Sequence, residues 1–77
     1  MNGKTLKQKF GRRVRSLRHT RDLTQEQLAE KAGMSPEYVS KIERGEASVS
    51  FKFMARLSTA LKVDPVELFD FSQLSSR

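Results

Sequence analysis

The sequence predicts an all-α fold, a compact bundle of five short helices in which the second and third form a helix-turn-helix. Three observations predict it. Apolar residues recur at helical spacing and no segment alternates as a strand would. Four N-cap signatures, at Thr24, Ser35, Ser50 and Asp64, punctuate the chain. The 77 residues leave room for a single domain, with an ordered core expected over about residues 5–70 and a fraying polar tail over 72–77.

Leu6, Phe10, Val14 and Leu17 fall within about 80° of one another at 100° per residue, which makes a first helix with one apolar side. Asp22 closes it, because Asp tolerates the left-handed backbone a helix end needs. Thr24 with Gln27 is a capping box opening the second helix, which turns Leu28, Ala29 and Ala32 inward and stops at Gly33. Ser35-Pro36 opens the third, with Pro where a missing N–H does no harm; Val39 and Ile42 form its apolar side and Gly45 ends it. Ser50 caps a fourth helix carrying Phe51, Phe53, Met54, Leu57 and Leu61. Asp64-Pro65-Val66-Glu67 repeats the N-cap, Pro and acidic N3 pattern and opens a short fifth helix with Leu68 and Phe69.

Composition narrows the function. There are no cysteines, which excludes disulfides, thiolate nucleophiles and Cys-ligated zinc, and the single His19 is too little for a metal cluster or a His-centred triad. No enzyme activity, metal or cofactor is expected. No run approaches 18 apolar residues and no secretory signal opens the chain, so a cytoplasmic protein of bacterial or phage type is expected. The net charge is +6, and residues 4–21 hold eight basic residues and no acidic one: Lys4, Lys7, Lys9, Arg12, Arg13, Arg15, Arg18 and Arg21. Such a stripe suits a polyanion, nucleic acid before an anionic membrane. The segment has no Trp and its few bulky apolar groups are needed for the core, which argues against the membrane. With 36% of residues hydrophobic the core is thin, so a partner or a second copy should add stability.

The second and third helices carry the functional signal. They are too short and too closely joined to lie antiparallel, and a tight turn at Gly33-Met34 sets them steeply across one another. That arrangement needs small residues where backbones approach, a glycine able to take positive φ, and apolar residues inward on both helices. Leu28, Ala29, Ala32, Gly33, Met34, Val39 and Ile42 meet every one of these demands. With Glu37 set at 0°, Lys41 lies at about 40°, Arg44 at about −20° and Ser40 at about −60°, while Val39 and Ile42 lie at about 200° and 140°. The polar side opposed to the core is what a major groove would meet.

The stretches Phe10-Gly11-Arg12-Arg13-Val14-Arg15, Leu23-Thr24-Gln25-Glu26-Gln27-Leu28-Ala29-Glu30 and Tyr38-Val39-Ser40-Lys41-Ile42-Glu43-Arg44-Gly45 resemble the Cro/phage-repressor (Xre-type) helix-turn-helix regulators. The resemblance spans about Phe10 to Phe69 and implies a lambda-repressor-like DNA-binding domain. Within that family the short length and the Tyr-Val-Ser-x-Ile-Glu-Arg-Gly run resemble the restriction-modification controller proteins. The resemblance implies a homodimeric, sequence-specific transcriptional regulator of a palindromic operator in double-stranded DNA.

Residues near the start of the third helix stand closest to base edges: Ser35, Pro36, Glu37, Ser40 and Lys41. Lys41 suits guanine O6 and N7, Glu37 a cytosine amino group, and Ser40 either role. The family's base-reading positions fall on Pro36, Glu37 and Lys41; Pro36 departs from the polar residue often found there and offers only an apolar surface. Tyr38 is either a base or backbone contact, as the resemblance suggests, or a packed aromatic. Glu37 also has a plain reading as a helix-dipole partner. Gln25, at the start of the second helix, is placed to grip a phosphate, with Arg44 and Lys52 clamping the strand and Arg12, Arg13 and Arg15 adding unspecific attraction.

Arg18 and Glu43 lie at the edges of their helices' apolar stripes. The family joins these positions in an ion pair, which would orient the third helix. Val66, Leu68, Phe69 and Phe71, with Leu74 beyond, are more apolar groups than so short a helix needs, and they are the expected dimer interface. The alternative is an antitoxin-like protein-interaction module with secondary DNA binding. No small-molecule pocket is evident.

Overall fold

The computed structural model describes residues 1–74; of the expected polar tail, residues 75–77 lie outside them. Four α-helices, α1 (Gly3–Thr20), α2 (Gln25–Ala32), α3 (Pro36–Glu43) and α4 (Phe51–Leu61), are followed by two 3-10 turns, Pro65–Phe69 and Phe71–Gln73. No strand occurs among the described residues.

The termini of these helices follow from local chemistry. Asn2 caps α1 by accepting from the Thr5 N–H at 2.8 Å. Asp22 takes φ 56° in the turn after α1. At α2, Thr24 Oγ1 accepts from the Gln27 N–H while Gln27 Oε1 accepts from the Thr24 N–H, a complete capping box, and Gly33 ends the helix at φ 68°. Ser35 and Ser50 cap α3 and α4 through the N–H groups of Tyr38 and Phe53.

The fifth element departs from the expected α-helix. Asp64 caps it by accepting from the Val66 N–H, and Pro65 holds the first turn, but only five residues follow before Asp70 returns to extended backbone. So short a segment gains almost nothing from i to i−4 bonding and tightens into a 3-10 turn. Asp70 accepts from both the N–H and the hydroxyl of Ser72, and Phe71–Gln73 form the second turn.

The core consists of Phe10, Val14, Leu17, Leu28, Ala29, Ala32, Val39, Ile42, Leu57, Leu61 and Leu68. Leu6, expected on the apolar side of α1, lies at its rim with 39% of its surface exposed. Leu68 is fully buried and closes the base of the bundle, so it belongs to the core and leaves the expected dimer face. Val66 and Phe69, on either side of it, remain exposed at 68% and 40%.

Gly11 sets the crossing of α1 over the end of α3. A Cβ there would overlap the Ile42 carbonyl oxygen and lie 2.8 Å from that of Glu43, both of them backbone atoms that cannot swing aside. Gly3, with nothing within 4 Å of an added Cβ, is the internal control. Gly11→Ala should lose about 3 kcal/mol or more of unfolding free energy in urea, through forced separation of α1 and α3. Gly3→Ala should be neutral or stabilising by up to about 1 kcal/mol.

Candidate nucleic-acid interface

α2 and α3 pack against each other across the Gly33-Met34 turn, and α3 is held from behind by α1. Val39 and Ile42 are 0% and 1% exposed, so the side of α3 that carries them is fixed in the core. Glu37, Lys41 and Arg44 are exposed and Ser40 is half-buried, forming one ridge on the opposite side. Pro36 and Ser35 continue it at the helix start. A shallow cleft lined by Thr24, Gln25, Glu26, Pro36, Glu37 and Ser40 separates the starts of α2 and α3, with Arg18 at its floor.

The ridge is oriented by a buried ionic joint. Arg18 Nε donates to Glu43 Oε2 at 2.7 Å and Nη2 donates to Oε1 at 3.1 Å, with the two side chains 9% and 3% exposed. Arg18 Nη1 donates to the Leu23 carbonyl at 2.8 Å, and Gln25 Nε2 donates to Glu43 Oε1 at 3.0 Å. The guanidinium therefore serves a carboxylate and a backbone carbonyl, and the carboxylate receives from α1 and α2 together. Among the described residues no buried side-chain nitrogen or oxygen lacks a partner.

Several residues expected at the DNA have internal duties. Arg13 is 6% exposed; its Nε donates to the Glu67 carbonyl at 2.7 Å and its Nη2 to the Glu67 carboxylate at 3.0 Å. It fastens the first 3-10 turn to α1, and its burial takes it out of the exposed cations expected to attract phosphate. Gln25 has one amide hydrogen committed to Glu43. The Tyr38 hydroxyl donates to the Ser48 carbonyl at 2.9 Å, and its ring packs on Phe53 with centroids 5.5 Å apart. In the free protein Tyr38 is thus packed and braces the loop after α3. Ser35 Oγ is engaged as the cap of α3.

Arg44, Lys41 and Lys52 remain exposed around the end of α3 and the start of α4, and Arg12 and Arg15 are exposed on α1. Arg44 is not idle. Its Nε and Nη2 donate to Glu46 Oε2 and Oε1, both at 3.1 Å, and its Nη1 donates to Ser40 Oγ. Hydrogen bonding to Glu46 raises the Arg44 pKa and lowers that of Glu46, with the charge of Lys41 adding to the latter.

Two features were not read from the sequence. Arg21, counted in the basic stripe, donates from Nε to the Leu61 carbonyl at 2.8 Å and from Nη2 to the Lys62 carbonyl at 3.1 Å, satisfying the end of α4. Phe51 is 87% exposed and, with Met54, Ala55, Pro65, Val66 and Phe69, lines an apolar hollow on the side built by α4 and the first 3-10 turn. Its place at the first position of α4 sets it beside the buried sector of that helix, where the pattern alone reads it as core.

This chain belongs to the helix-turn-helix domain family of DNA-binding regulators, whose model matches residues 9–70. Control protein C.BamHI of Bacillus amyloliquefaciens is 37% identical over 68 residues, which are 87% of this chain and 84% of that protein. The HTH-type transcriptional regulator SlrR of Bacillus subtilis (strain 168) is 41% identical over 62 residues, 79% of this chain but 41% of its own length. The crystal structure of the restriction-modification controller protein C.AhdI from Aeromonas hydrophila superposes with a TM-score of 0.81 at 44% identity, covering 82% of this chain and 96% of that one.

Glu43→Ala should lower the unfolding free energy by about 3–5 kcal/mol in urea, because it leaves the Arg18 charge buried and unpaired. The double replacement Arg18→Met/Glu43→Leu should recover most of that loss, and a double variant as unstable as the single one would reject the assignment.

Proposed function

We propose that this chain is a dimeric, sequence-specific transcriptional regulator that lays α3 in the major groove of a palindromic operator. The observation that carries the reading is the exposed ridge of Glu37, Ser40, Lys41 and Arg44 backed by fully buried Val39 and Ile42. A helix with that division presents short polar and cationic groups at the depth where base edges lie. Lys41 donates to guanine O6 and N7, Glu37 accepts from a cytosine amino group, and Pro36 offers an apolar contact to a thymine methyl. Ser35 and Ser40 supply hydroxyls at the same edge.

Phosphate contacts set the register. Gln25 stands at the start of α2, where backbone N–H groups point outward, and its second amide hydrogen is free of the Glu43 bond. Arg44 and Lys52 flank the loop after α3 and reach the strand on the other side, while Arg12 and Arg15 add long-range attraction. Such a protein acts where the chromosome is, in the cytoplasm of a bacterium.

Reading two half-sites would take two copies. One copy measures 30 × 21 × 20 Å, too small to reach successive major grooves about 34–36 Å apart. Phe51, Val66 and Phe69 form an apolar patch away from α3, and Phe71 adjoins Phe69 with ring centroids 6.3 Å apart. A self-complementary interface there buries this patch and spaces two ridges for two half-sites.

Selection from a random duplex pool should return a palindrome with half-sites about one helical turn apart. Binding should weaken steeply with salt, with a log–log slope of about −0.9 per phosphate neutralised and about 8–10 phosphates per dimer. Lys41→Ala should relax preference at one position per half-site, by about 1–3 kcal/mol of discrimination. Binding to the selected site with no more affinity than to random duplex would overturn the reading. Separately, Phe51→Asp/Val66→Asp should sediment as a monomer at micromolar concentration with an unchanged helical circular-dichroism spectrum; retention of the dimer would move the interface elsewhere.

A further inference from the structure

Arg44 has the position of a phosphate contact, yet in the free protein its guanidinium is already occupied. Glu46 receives from both Nε and Nη2 at 3.1 Å, the side-by-side geometry in which Arg also grips a phosphate. The pair is exposed, with side chains 53% and 56% accessible, so nothing but the two charges and Ser40 holds it. We propose that Glu46 is a specificity-determining residue, an intramolecular stand-in for a DNA phosphate that latches Arg44 to the ridge and restrains binding to non-cognate duplex. This inference rests on the groove reading of α3 given above.

On a random duplex the affinity comes from cation–phosphate contacts and the counterions they release. Arg44 can add to that sum only by leaving one bidentate oxyanion for another, and the carboxylate it leaves then stands unpaired beside the phosphates. The contact is close to neutral, and the ridge behaves as though it held one cation fewer. The Glu46 carboxyl is held below its ordinary range by the Arg44 hydrogen bond, so the latch is closed wherever DNA would be bound near neutral pH.

A cognate site adds base contacts to the ridge whether Arg44 stays with Glu46 or moves to a phosphate. While the latch is closed, Arg44 Nη1 donates to Ser40 Oγ, which fills an acceptor position on that hydroxyl and leaves its proton to be given outward. Ser40 can then give that proton to purine N7, guanine O6 or thymine O4, with one lone pair left to accept. Tyr38, bonded to the Ser48 carbonyl and packed on Phe53, braces the loop that carries Glu46 against this geometry.

The test uses the full chain, a fluorescein-labelled random-sequence duplex and the duplex recovered by selection, titrated by anisotropy across a salt series. Glu46→Gln should tighten random-duplex binding roughly two- to five-fold per protomer, the range an exposed ion pair supports. It should also steepen the salt slope by about 0.9 per protomer, as one more phosphate is neutralised. Affinity for the selected duplex should change less, so the specificity ratio falls. In an Arg44→Ala background Glu46→Gln should leave the slope unmoved, because no arginine remains to be released. Equal slopes for wild type and Glu46→Gln, or the same change with and without Arg44, would overturn the latch while leaving the groove reading intact. Wild-type protein that ignores both duplexes at low salt would remove the groove reading itself, and the latch's role with it.

Discussion

The Arg18–Glu43 pair is the constraint on which the rest of the molecule depends. It ties the last turn of α1 to the last residue of α3, takes in the Leu23 carbonyl of the intervening turn, and draws Gln25 at the start of α2 onto the same carboxylate. Four segments converge on two side chains. A lysine could not replace Arg18, since the planar fork gives two parallel bonds to Glu43 and a third to Leu23, whereas an ammonium would supply a point charge with no fixed direction. The pair need not add net stability over two well-packed apolar groups. What it supplies is direction: α3 can neither slide along α1 nor rotate about its own axis without breaking a buried charge contact.

Directionality matters because α3 is only eight residues long and its hold on the core is two large side chains, Val39 and Ile42. Hydrophobic contact is not directional, and two aliphatic anchors leave a short helix free to roll by tens of degrees at little penalty. Rolling by one residue's worth would exchange Lys41 for its neighbours at the crest of the exposed ridge. The approach of Gly11 to the Ile42 and Glu43 carbonyls limits the same motion from the other side, by contact instead of charge. An interface that reads single hydrogen-bonding groups needs both.

How much of this was legible follows the distance between partners along the chain. Helix starts at Thr24, Ser35 and Ser50 and the positive φ at Asp22, Gly33 and Gly45 are set within three or four residues, and the sequence pattern contains all that is needed. Arg13 and Glu67 stand 54 residues apart, and helical phase can set Arg13 beside the apolar stripe but cannot name so distant a partner. Apart from Arg18, set aside as the partner of Glu43, the basic stripe of residues 4–21 reads as one polyanion-facing surface, when Arg13 and Arg21 are spent on a 3-10 turn and the carbonyls that end α4. Lys62, at φ 59°, shows the same limit: lysine gives no signal for a left-handed backbone, and the turn is held by Arg21 from across the molecule. Tyr38 was ambiguous because its fate rests on Ser48 and Phe53, both beyond the reach of helical spacing.

Those diverted arginines change what the net charge of +6 means. A charge locked against a carboxylate or a carbonyl cluster cannot release a counterion by moving to a phosphate, so the effective cationic surface is smaller than the composition suggests. The acidic residues are placed with the same economy. Glu43 and Glu67 neutralise buried arginines, while Glu37 and Glu46 stand on or beside the ridge, where a carboxylate opposes every phosphate alike. Repulsion of that kind weakens all complexes by a similar amount, and only a complex with matching base contacts makes up the difference. On the proposed groove reading, discrimination comes as much from the charges that disfavour a random duplex as from those that favour the correct one.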